Sequence, residues 1–600
     1  IILSRILLPM VFLLLCYGFW ASSSFQDISA GVALFLFGMF CMEQGFKIFS
    51  GSGLQGLLAA STDRLWKSLS FGIVSTTLMQ SSSLVSVLTI SFLSAQLIGL
   101  AQGIGIVFGA NLGTTTGAWI VAGFGLKVKI STYAMPLLVF GVILLMRNSE
   151  RAKGIGWILI GVGFLFLGIH FMKEGFASYA QAIDLTQYAI PGVAGLLVFT
   201  LIGVAATVVM QSSHATMTLI ITALAASQIT YDNALALAIG SNVGTTVTAV
   251  LGSLSANVAG KRLAGAHLIF NLVTGLIALV LIQPLIMVVD EVSAAVGIAP
   301  DNHTMKLAVF HTLFNLLGVM IMIPMIDRLV VFLEKHLREA SSDHDGPRFL
   351  SNAALDIPAV ALHAGIQETE HLFKNATTLL AHGVCLKRSF INGNEDLQSL
   401  IEPRGEVISI NIDENYDKTI RDIHGANITF LTRAQANASA DHAKAFNYLR
   451  QANTDVLTAI KAVKHLRKNL LRYMRSDNIH MRREYNRFRM RIASVIRDLR
   501  SLNDTDNASL RLLALDQIKV AVREEEKAAQ RSLDKLIRAG VINSDLATSL
   551  INDGNYTKIV VRSLMDMTKA WNKAILSDNE VEDILSLEPE EIEAIARQVH

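Results

Sequence analysis

The sequence is poor in cysteine and lacks the common motifs for nucleotides and metals. Its three cysteines are Cys16, Cys41 and Cys385, and their spacing fits neither a disulfide framework nor a zinc site. It contains no Walker motif, no dinucleotide fingerprint and no metalloprotease motif. These absences argue against an ATP-driven pump, and nothing points to an oxidising compartment.

Charged side chains are scarce in the first part of the chain. Asp, Glu, Lys and Arg account for 29 of residues 1–340 but for 71 of residues 341–600. Together with an apolar fraction of 52%, this asymmetry predicts a membrane domain over 1–340 followed by a soluble domain. The net charge of +2 provides no basic surface for DNA or RNA, so we expect membrane lipid as a partner and no nucleic acid.

Long apolar stretches predict a polytopic, all-α membrane domain. Two of them, 66–98 and 194–228, are too long for one span and are interrupted in the middle by polar residues. Irregular polar backbone at membrane depth is tolerated only where protein or water surrounds it, so we interpret each as a re-entrant hairpin. Eight other stretches are long enough to cross roughly 30 Å of hydrocarbon, and they lie near 2–20, 29–50, 101–123, 130–147, 154–172, 233–253, 262–289 and 304–334.

The polar residues in the two hairpins belong to an internal duplication. Residues 80–83 correspond to 211–214, and residues 109–116 correspond to 240–247, both at an offset of 131 positions. The repeats span about 29–147 and 154–289. Their polar residues are our candidate phosphate and sodium ligands: Gln80, Ser81, Ser82, Ser83, Asn111, Thr114, Thr115, Gln211, Ser212, Ser213, Asn242, Thr245 and Thr246.

The number of predicted spans makes the two repeats inverted. Three spans separate the start of the first repeat from that of the second, and an odd number of crossings reverses the second copy. If 66–98 formed a single span instead of a hairpin, the two copies would be parallel. Basic residues support an orientation with both termini in the cytoplasm, because most of those flanking the spans then lie inside. Those inside are Arg5, Arg64, Lys67, Arg147, Arg151, Lys153, Lys261, Arg262 and Arg328, and those outside are Lys127, Lys129, Lys173 and Lys306.

Broken helices at membrane depth can hold both an anion and a cation. The half-helix after the break presents free backbone N–H groups, which suit a phosphate-like anion, and the half-helix before it presents carbonyls, which suit Na⁺. Amide and hydroxyl side chains can serve either ion. The alternative is that the small polar residues only allow helices to pack closely, which the repetition of both motifs makes less favoured.

The remainder of the chain is predicted to form a soluble helical bundle. A polar linker over 341–358 precedes it, and apolar residues then recur at three- and four-residue spacing over 359–600, as from Val456 to Tyr473. We predict an antiparallel bundle with breaks near Asn392-Gly393-Asn394, Pro403-Arg404-Gly405, Asn503-Asp504 and Ala539-Gly540.

The duplicated residues resemble a known family. Gln80–Ser83 and Gln211–Ser213, with the two Gly-x-Asn-x-Gly-Thr-Thr segments, are similar to the signature of the type II sodium-phosphate cotransporters, in the bacterial form with a C-terminal PhoU-like domain. The resemblance covers roughly 29–335 strongly, and the rest only by position, helicity and length. It implies a transporter rather than an enzyme, with Na⁺ as coupling ion, no other cofactor, and these Gln and Ser residues in the substrate and sodium region.

Other polar residues near the repeats have several interpretations. His214 stands where the first copy has Ser83. We favour the interpretation that the two hairpins divide the binding of phosphate and sodium between them. The alternative is that His214 makes transport depend on pH. Asn271 and Asn315 each follow a histidine by four residues, and we favour interhelical hydrogen bonding over substrate binding for them. Glu43 and Glu174 are candidate ion ligands that we expect near the membrane faces.

The sequence therefore predicts sodium-coupled transport of inorganic phosphate by alternating access, with a regulatory cytoplasmic domain, in a bacterial inner membrane. Two alternatives stay open, namely transport of another small oxyanion and a membrane phosphate sensor that signals through the bundle. A homodimer, a regulatory partner of the PhoU-like domain and the direction of transport also stay open.

Overall fold

The computed structural model describes residues 2–576, apart from 62–63, 126–129, 183–189, 254–255, 339–344, 394, 403–406, 437 and 504–507. All regular elements in these residues are helices, which confirms the all-α prediction. The chain divides into two compact units, Ile1–Glu339 and Ala340–His600.

The first unit is a set of apolar helices, and seven helical segments within the described residues are long and apolar enough to cross a membrane, which supports a multi-pass membrane protein. The helices are α1 (Ile2–Ala21), α2 (Ser23–Ser61), α3 (Leu65–Met79), α4 (Ser82–Ser94), α5 (Leu100–Ile120), α6 (Ile130–Leu145), α7 (Glu150–Ala182), α8 (Gly192–Met210), α9 (Ser213–Ala225), α10 (Tyr231–Ser253), α11 (Val258–Val280), α12 (Ile282–Ala295), α13 (His303–Met322) and α14 (Ile326–His336).

Some predicted spans differ in the structure. The predicted span 262–289 is two helices, α11 and α12, because the ring of Pro284 would clash with the carbonyl of Val280 in a continuous helix. The predicted spans 2–20 and 130–147 form α1 and α6 but are not among the seven. The apolar stretch 194–228 breaks as expected, yet α8 has 19 residues and is itself long enough to cross a membrane.

Both polar breaks have the same backbone conformation. Gln80 ends α3 with φ 53° and ψ 26°, and Gln211 ends α8 with φ 53° and ψ 24°, both in the left-handed region. Ser81 and Ser212 are then extended and begin α4 and α9. A glutamine in this region costs of order 1 kcal/mol, so the same conformation at both equivalent positions shows that the duplication extends to the backbone.

Glycines place the helices of each repeat in equivalent arrangements. A Cβ on Gly72 of α3 would lie 2.0 Å from the Ile106 carbonyl oxygen of α5, and a Cβ on Gly203 of α8 would lie 2.3 Å from that of Leu237 of α10. Close backbone approach of this kind needs glycine and is common between membrane helices.

The direction of the helices follows from the same contacts. Gly105 of α5 lies against Leu65 of α3, and Gly113 lies against Thr76, so α3 and α5 run parallel. A short connection joins α4 to α5, so α4 has to return toward the start of α3, and α3 and α4 form a helical hairpin. That this hairpin is re-entrant in a membrane stays a prediction.

Helices α2 and α7 carry the segments 38–46 and 168–176, which echo each other in sequence at an offset of 130 positions, and the two helices pack along each other. Gly31 of α2 lies against Gly168 and Met172 of α7, whereas Gly45 lies against Gly154 and Ile158. The residue numbers rise in one helix as they fall in the other, so these equivalent helices run antiparallel.

The second unit is a helical bundle. Its long helices are α15 (Pro358–Gly383), α19 (Arg421–Ala436), α20 (Ala440–Tyr473), α21 (Ile479–Asn503), α22 (Ala508–Arg538) and α23 (Ser544–Ile575), and three short helices, α16 (Arg388–Asn392), α17 (Leu397–Ile401) and α18 (Ile412–Thr419), lie between α15 and α19. The predicted apolar face from Val456 to Tyr473 is buried. The predicted breaks at 403–405 and Asp504 lie outside the described residues, and the break at Ala539-Gly540 is present.

A buried carboxylate anchors the start of this unit to α15. Glu368 is fully buried and accepts hydrogen bonds from the backbone N–H groups of Arg348 (2.9 Å) and Phe349 (2.8 Å). His371 lies between Glu368 Oε1 (2.9 Å from Nδ1) and Asp345 Oδ2 (3.2 Å from Nε2). Asn375 also donates to Asp345 (2.8 Å). We call Asp345, Glu368 and His371 the anchor cluster.

Acid is expected to weaken the anchor cluster. Burial alone raises the pKa of Asp345, but the hydrogen bond from Asn375 and the charges of His371 and Arg348 outweigh it, so this pKa lies below its ordinary value. A carboxylate with a lowered pKa stabilises the fold above its unfolded pKa of about 3.9, and this contribution is lost as the pH falls through the folded pKa.

Replacing His371 with alanine is expected to destabilise the bundle by about 1–3 kcal/mol, because Glu368 then keeps a buried charge with one partner fewer. The measurement is calorimetric unfolding of the full chain near neutral pH. His480→Ala is the control, since His480 is exposed, and it should leave the transition unchanged. Equal transition temperatures for both variants would show that the anchor cluster contributes no stability.

Candidate substrate and ion site

A cavity of about 180 Å³ lies where the two polar breaks meet. All eight residues of the two tips line it, although they are 131 positions apart in sequence, namely Gln80, Ser81, Ser82, Ser83, Gln211, Ser212, Ser213 and His214. Thr114 of α5, Met210 of α8 and four residues of α2 complete the lining, the last being Leu36, Met39, Phe40 and Glu43.

Two helices begin at the cavity. The Ser81 hydroxyl oxygen accepts a hydrogen bond from the Leu84 N–H at 3.2 Å, and that of Ser212 accepts from the Ala215 N–H at 3.1 Å. Each serine thereby caps its helix. The N–H groups of the first turn that lack partners in the helix, and the positive end of the helix dipole, are therefore placed at the tips, where they favour an anion.

The two glutamines are not equivalent in their hydrogen bonds. The Gln80 amide nitrogen donates to the Thr77 carbonyl oxygen and to Thr116 Oγ1 (3.4 Å), so the side-chain oxygen is the part of this amide left to accept from a ligand. Gln80 is buried, whereas Gln211 is exposed. An acceptor without a donor suits a cation, which makes the first tip the better candidate for Na⁺.

His214 fills a space that a glycine leaves open. Its ring stacks on Phe35, with ring centroids 5.6 Å apart and planes inclined by 17°. The ring also lies against Gly117, since a Cβ added to Gly117 would lie 1.4 Å from His214 Cε1. In the sequence, the position equivalent to Gly117 in the second repeat is Thr248, and the position equivalent to His214 in the first repeat is Ser83.

The asparagines of the repeated segments make interhelical hydrogen bonds and do not line the cavity. Asn111 Oδ1 is 3.4 Å from His267 Nε2, and Asn242 Oδ1 is 3.1 Å from His311 Nε2. Asn242 also donates to Asn315 Oδ1 at 2.8 Å. These contacts are the interhelical bonding favoured for the histidine and asparagine pairs.

The remaining predicted ligands also lie outside the lining. Thr115, Thr245 and Thr246 donate to backbone carbonyls of the preceding turn. Asn271 is buried and, within the part of the chain that the structure describes, neither of its amide atoms has a hydrogen-bond partner. The structure therefore brings together the two tips and Thr114, and it leaves the other candidates in the surrounding helices.

Helix α2 contributes a side of the cavity that sequence reasoning missed. Leu36, Met39, Phe40 and Glu43 follow helical spacing and form one stripe. Ser212 donates to Met39 Sδ at 3.4 Å, and Glu43 pairs with Lys47 at 3.1 Å. Glu43, a candidate ion ligand that we expect near a membrane face, is one of these lining residues. The echoed Gly38 segment was the available signal.

A helical membrane unit with a cavity between two polar helix breaks is an arrangement found in transporters. The model of the Na⁺/Pi-cotransporter family matches residues 34–174 and 193–298 of this chain. This match confirms the resemblance found in the sequence and supports a transporter rather than an enzyme.

Similar proteins come from several bacteria. YjbB of Salmonella typhimurium, which is named for inorganic phosphate export, is 30% identical over 343 residues, covering 56% of this chain and 61% of YjbB. YjbB of Escherichia coli K12 is also 30% identical, over 57% of this chain and 61% of its own length. YqeW of Bacillus subtilis, named as uncharacterized, is 26% identical over 50% of this chain and 94% of its length. The chain thus spans 61% of both YjbB proteins. No solved structure matches it.

Proposed function

We propose that this protein transports inorganic phosphate together with Na⁺ across a bacterial inner membrane. The observation that carries the proposal is the single cavity lined by both polar tips. The match to the Na⁺/Pi-cotransporter family model supports phosphate and sodium as the transported pair. The positions of the two tips support one shared site rather than two separate sites.

Phosphate would bind at the starts of α4 and α9. There the cavity has helix N-termini and serine hydroxyls from both repeats, and these groups suit the oxygens of a phosphate anion. Na⁺ would bind near the Gln80 side-chain oxygen, with the Glu43 carboxylate supplying negative charge in the same cavity.

Alternating access would follow from inversion of the repeats. The equivalent helices α2 and α7 run antiparallel, and this arrangement supports two copies of opposite orientation. Inverted repeats around a central site allow one copy to rock against the other, so that the site opens first to one side and then to the other. We propose that both hairpins are re-entrant and that both termini lie in the cytoplasm.

The charge of the cavity makes sodium necessary for phosphate binding. The tips carry no acidic side chain and no lysine or arginine, and the lining residue Glu43, which pairs with Lys47, adds no positive charge. An uncompensated charge at membrane depth costs about 2.5–3.5 kcal/mol on insertion scales. Cations must therefore enter with the phosphate, and the Na⁺ gradient would drive its movement.

Replacing Na⁺ with choline is expected to weaken phosphate binding at least tenfold, since roughly 1.4 kcal/mol corresponds to a factor of ten. The measurement is equilibrium binding of labelled phosphate to purified protein at constant ionic strength. In the Gln80→Ala variant, the same replacement of Na⁺ with choline should weaken phosphate binding less, because that variant already lacks the proposed sodium acceptor. Equal affinity in choline and in Na⁺ for the unaltered protein would contradict the coupling.

The bundle at 359–600 would regulate transport as a PhoU-like cytoplasmic domain. The names of the YjbB proteins refer to export, whereas an inward Na⁺ gradient drives import, so we propose coupling without assigning the direction in the cell.

A further inference from the structure

The bundle contains a cavity with an excess of positive charge. Its volume is about 220 Å³, and it lies between α15, α16 and α21. Its charged lining residues are Glu370, Lys374, Arg388 and Arg500. Phe373 and Ile391 form an apolar wall on which the carbon atoms of a ligand could pack. We call this cavity the basic pocket.

Two arginines of the basic pocket have no carboxylate partner among the residues that the structure describes. Glu370 and Lys374 form an ion pair at 2.5 Å and neutralise each other. Arg500 donates to the amide oxygen of Asn392, and neither Arg388 nor Arg500 forms an ion pair within the described residues. The basic pocket therefore carries a net charge of about +2, since both guanidinium groups stay protonated.

Some exposed cations elsewhere in the bundle, in contrast, pair with an acidic residue one turn away, namely Lys418 with Glu414, Arg421 with Asp417 and Lys527 with Glu524. The positive potential reaches a neighbouring side chain as well. Burial lowers the pKa of His382, and the charge of Arg388 lowers it further. An anion in the pocket would remove this excess of positive charge.

We propose that the basic pocket binds a small phosphate monoester, with its phosphoryl group held by Arg388 and Arg500. Guanidinium groups match the geometry of phosphoryl oxygens and can bind them bidentately. A dianionic phosphoryl group balances two guanidinium charges. The size of the pocket favours an ester, because a water molecule takes about 30 Å³ in the liquid and the pocket exceeds that roughly sevenfold.

The apolar wall supports the same ligand class. Phe373 and Ile391 offer nothing to an inorganic anion, but they can cover the organic part of an ester. Inorganic phosphate shares the phosphoryl chemistry and is the other source of ligand to be distinguished. This proposal does not depend on transport, since its residues lie in the second unit.

The test is equilibrium dialysis of the purified full chain with labelled AMP and, separately, with labelled inorganic phosphate. Choline replaces Na⁺ throughout, so that the membrane cavity contributes little binding. We expect saturable binding of AMP, with Arg388→Ala weakening it at least tenfold and Arg388→Lys weakening it less. Gln80→Ala should not change it, which separates this pocket from the proposed transport site.

Lys418→Ala is the matched control, because Lys418 is a cation of the same unit outside the pocket, and it should leave AMP binding unchanged. Inorganic phosphate should bind at least tenfold more weakly than AMP. Equal affinity for both ligands would overturn the ester assignment. The proposed binding site would be overturned if folded protein showed no saturable AMP binding. It would also be overturned if neither Arg388→Ala nor Arg388→Lys changed the affinity for AMP. Circular dichroism checks folding, and Arg388→Lys serves as the second variant if Arg388→Ala does not fold.

Discussion

Replacing Gln80 or Gln211 with alanine is expected to weaken the apparent affinity for phosphate and Na⁺ by roughly five- to 150-fold. Each glutamine lines the shared cavity, where the Gln80 amide can accept from a cation through its oxygen and the Gln211 amide can donate to phosphate. Losing such a group leaves a buried partner unpaired, which costs about 1–3 kcal/mol. The measurement is the concentration dependence of labelled phosphate uptake into proteoliposomes at several Na⁺ concentrations.

The chain offers a matched control for this substitution. Gln96 has φ 57°, so it adopts the same left-handed conformation as Gln80, but it does not line the cavity. Gln96→Ala reproduces the change in side chain and backbone preference without touching the site, and it should leave both affinities unchanged. Near-normal affinities in well-folded Gln80→Ala and Gln211→Ala proteins would reject the shared site. A defect in only one variant would reject equal contributions from the two tips.

Replacing Gly117 with alanine is expected to impair transport by a similar or larger factor. The added methyl group would lie 1.4 Å from His214 Cε1, so the imidazole, which also stacks on Phe35, must move. Overpacking of this kind costs about 1–3 kcal/mol, and here it displaces a residue that lines the cavity. The measurement is the initial rate of phosphate uptake at equal amounts of protein in the liposomes.

A second substitution tests the physical reason for this effect. Gly117→Ala combined with His214→Ser should transport better than Gly117→Ala alone, because serine, the residue of the first repeat, leaves room for the methyl group. Gly123→Ala is the control, since its added methyl would meet only Met305 Sδ, at 3.9 Å. Unchanged transport in Gly117→Ala, or no improvement in the double variant, would show that the contact with His214 does not position the site.

The duplication allowed the two helix breaks to be located from sequence. Because Gln80 and Gln211 repeat at one offset together with the distant glycine and threonine segments, the breaks in both helices were predictable to within a residue. The hydrogen bonds of His267 and His311 to asparagines were also expected as interhelical contacts, because polar side chains between membrane helices need partners.

Other parts of the site depend on tertiary packing and were not predictable in the same way. The stripe of α2 that includes Glu43 faces the cavity only because α2 packs on α7 and lies beside both tips. Gly117 contacts His214 from a different helix, and no local pattern marks that contact. The division of 262–289 into two helices, in contrast, follows from Pro284 and could have been read from the sequence.

Phosphate flux under an imposed Na⁺ gradient tests the central claim most directly. Proteoliposomes that contain the full chain are given equal labelled phosphate inside and outside, with Na⁺ outside and choline inside. The proposed mechanism predicts that phosphate accumulates inside above its starting concentration, and that the accumulation disappears when the Na⁺ gradient is dissipated. Phosphate movement that is the same with choline on both sides, or no accumulation by protein that binds phosphate, would contradict sodium-coupled transport.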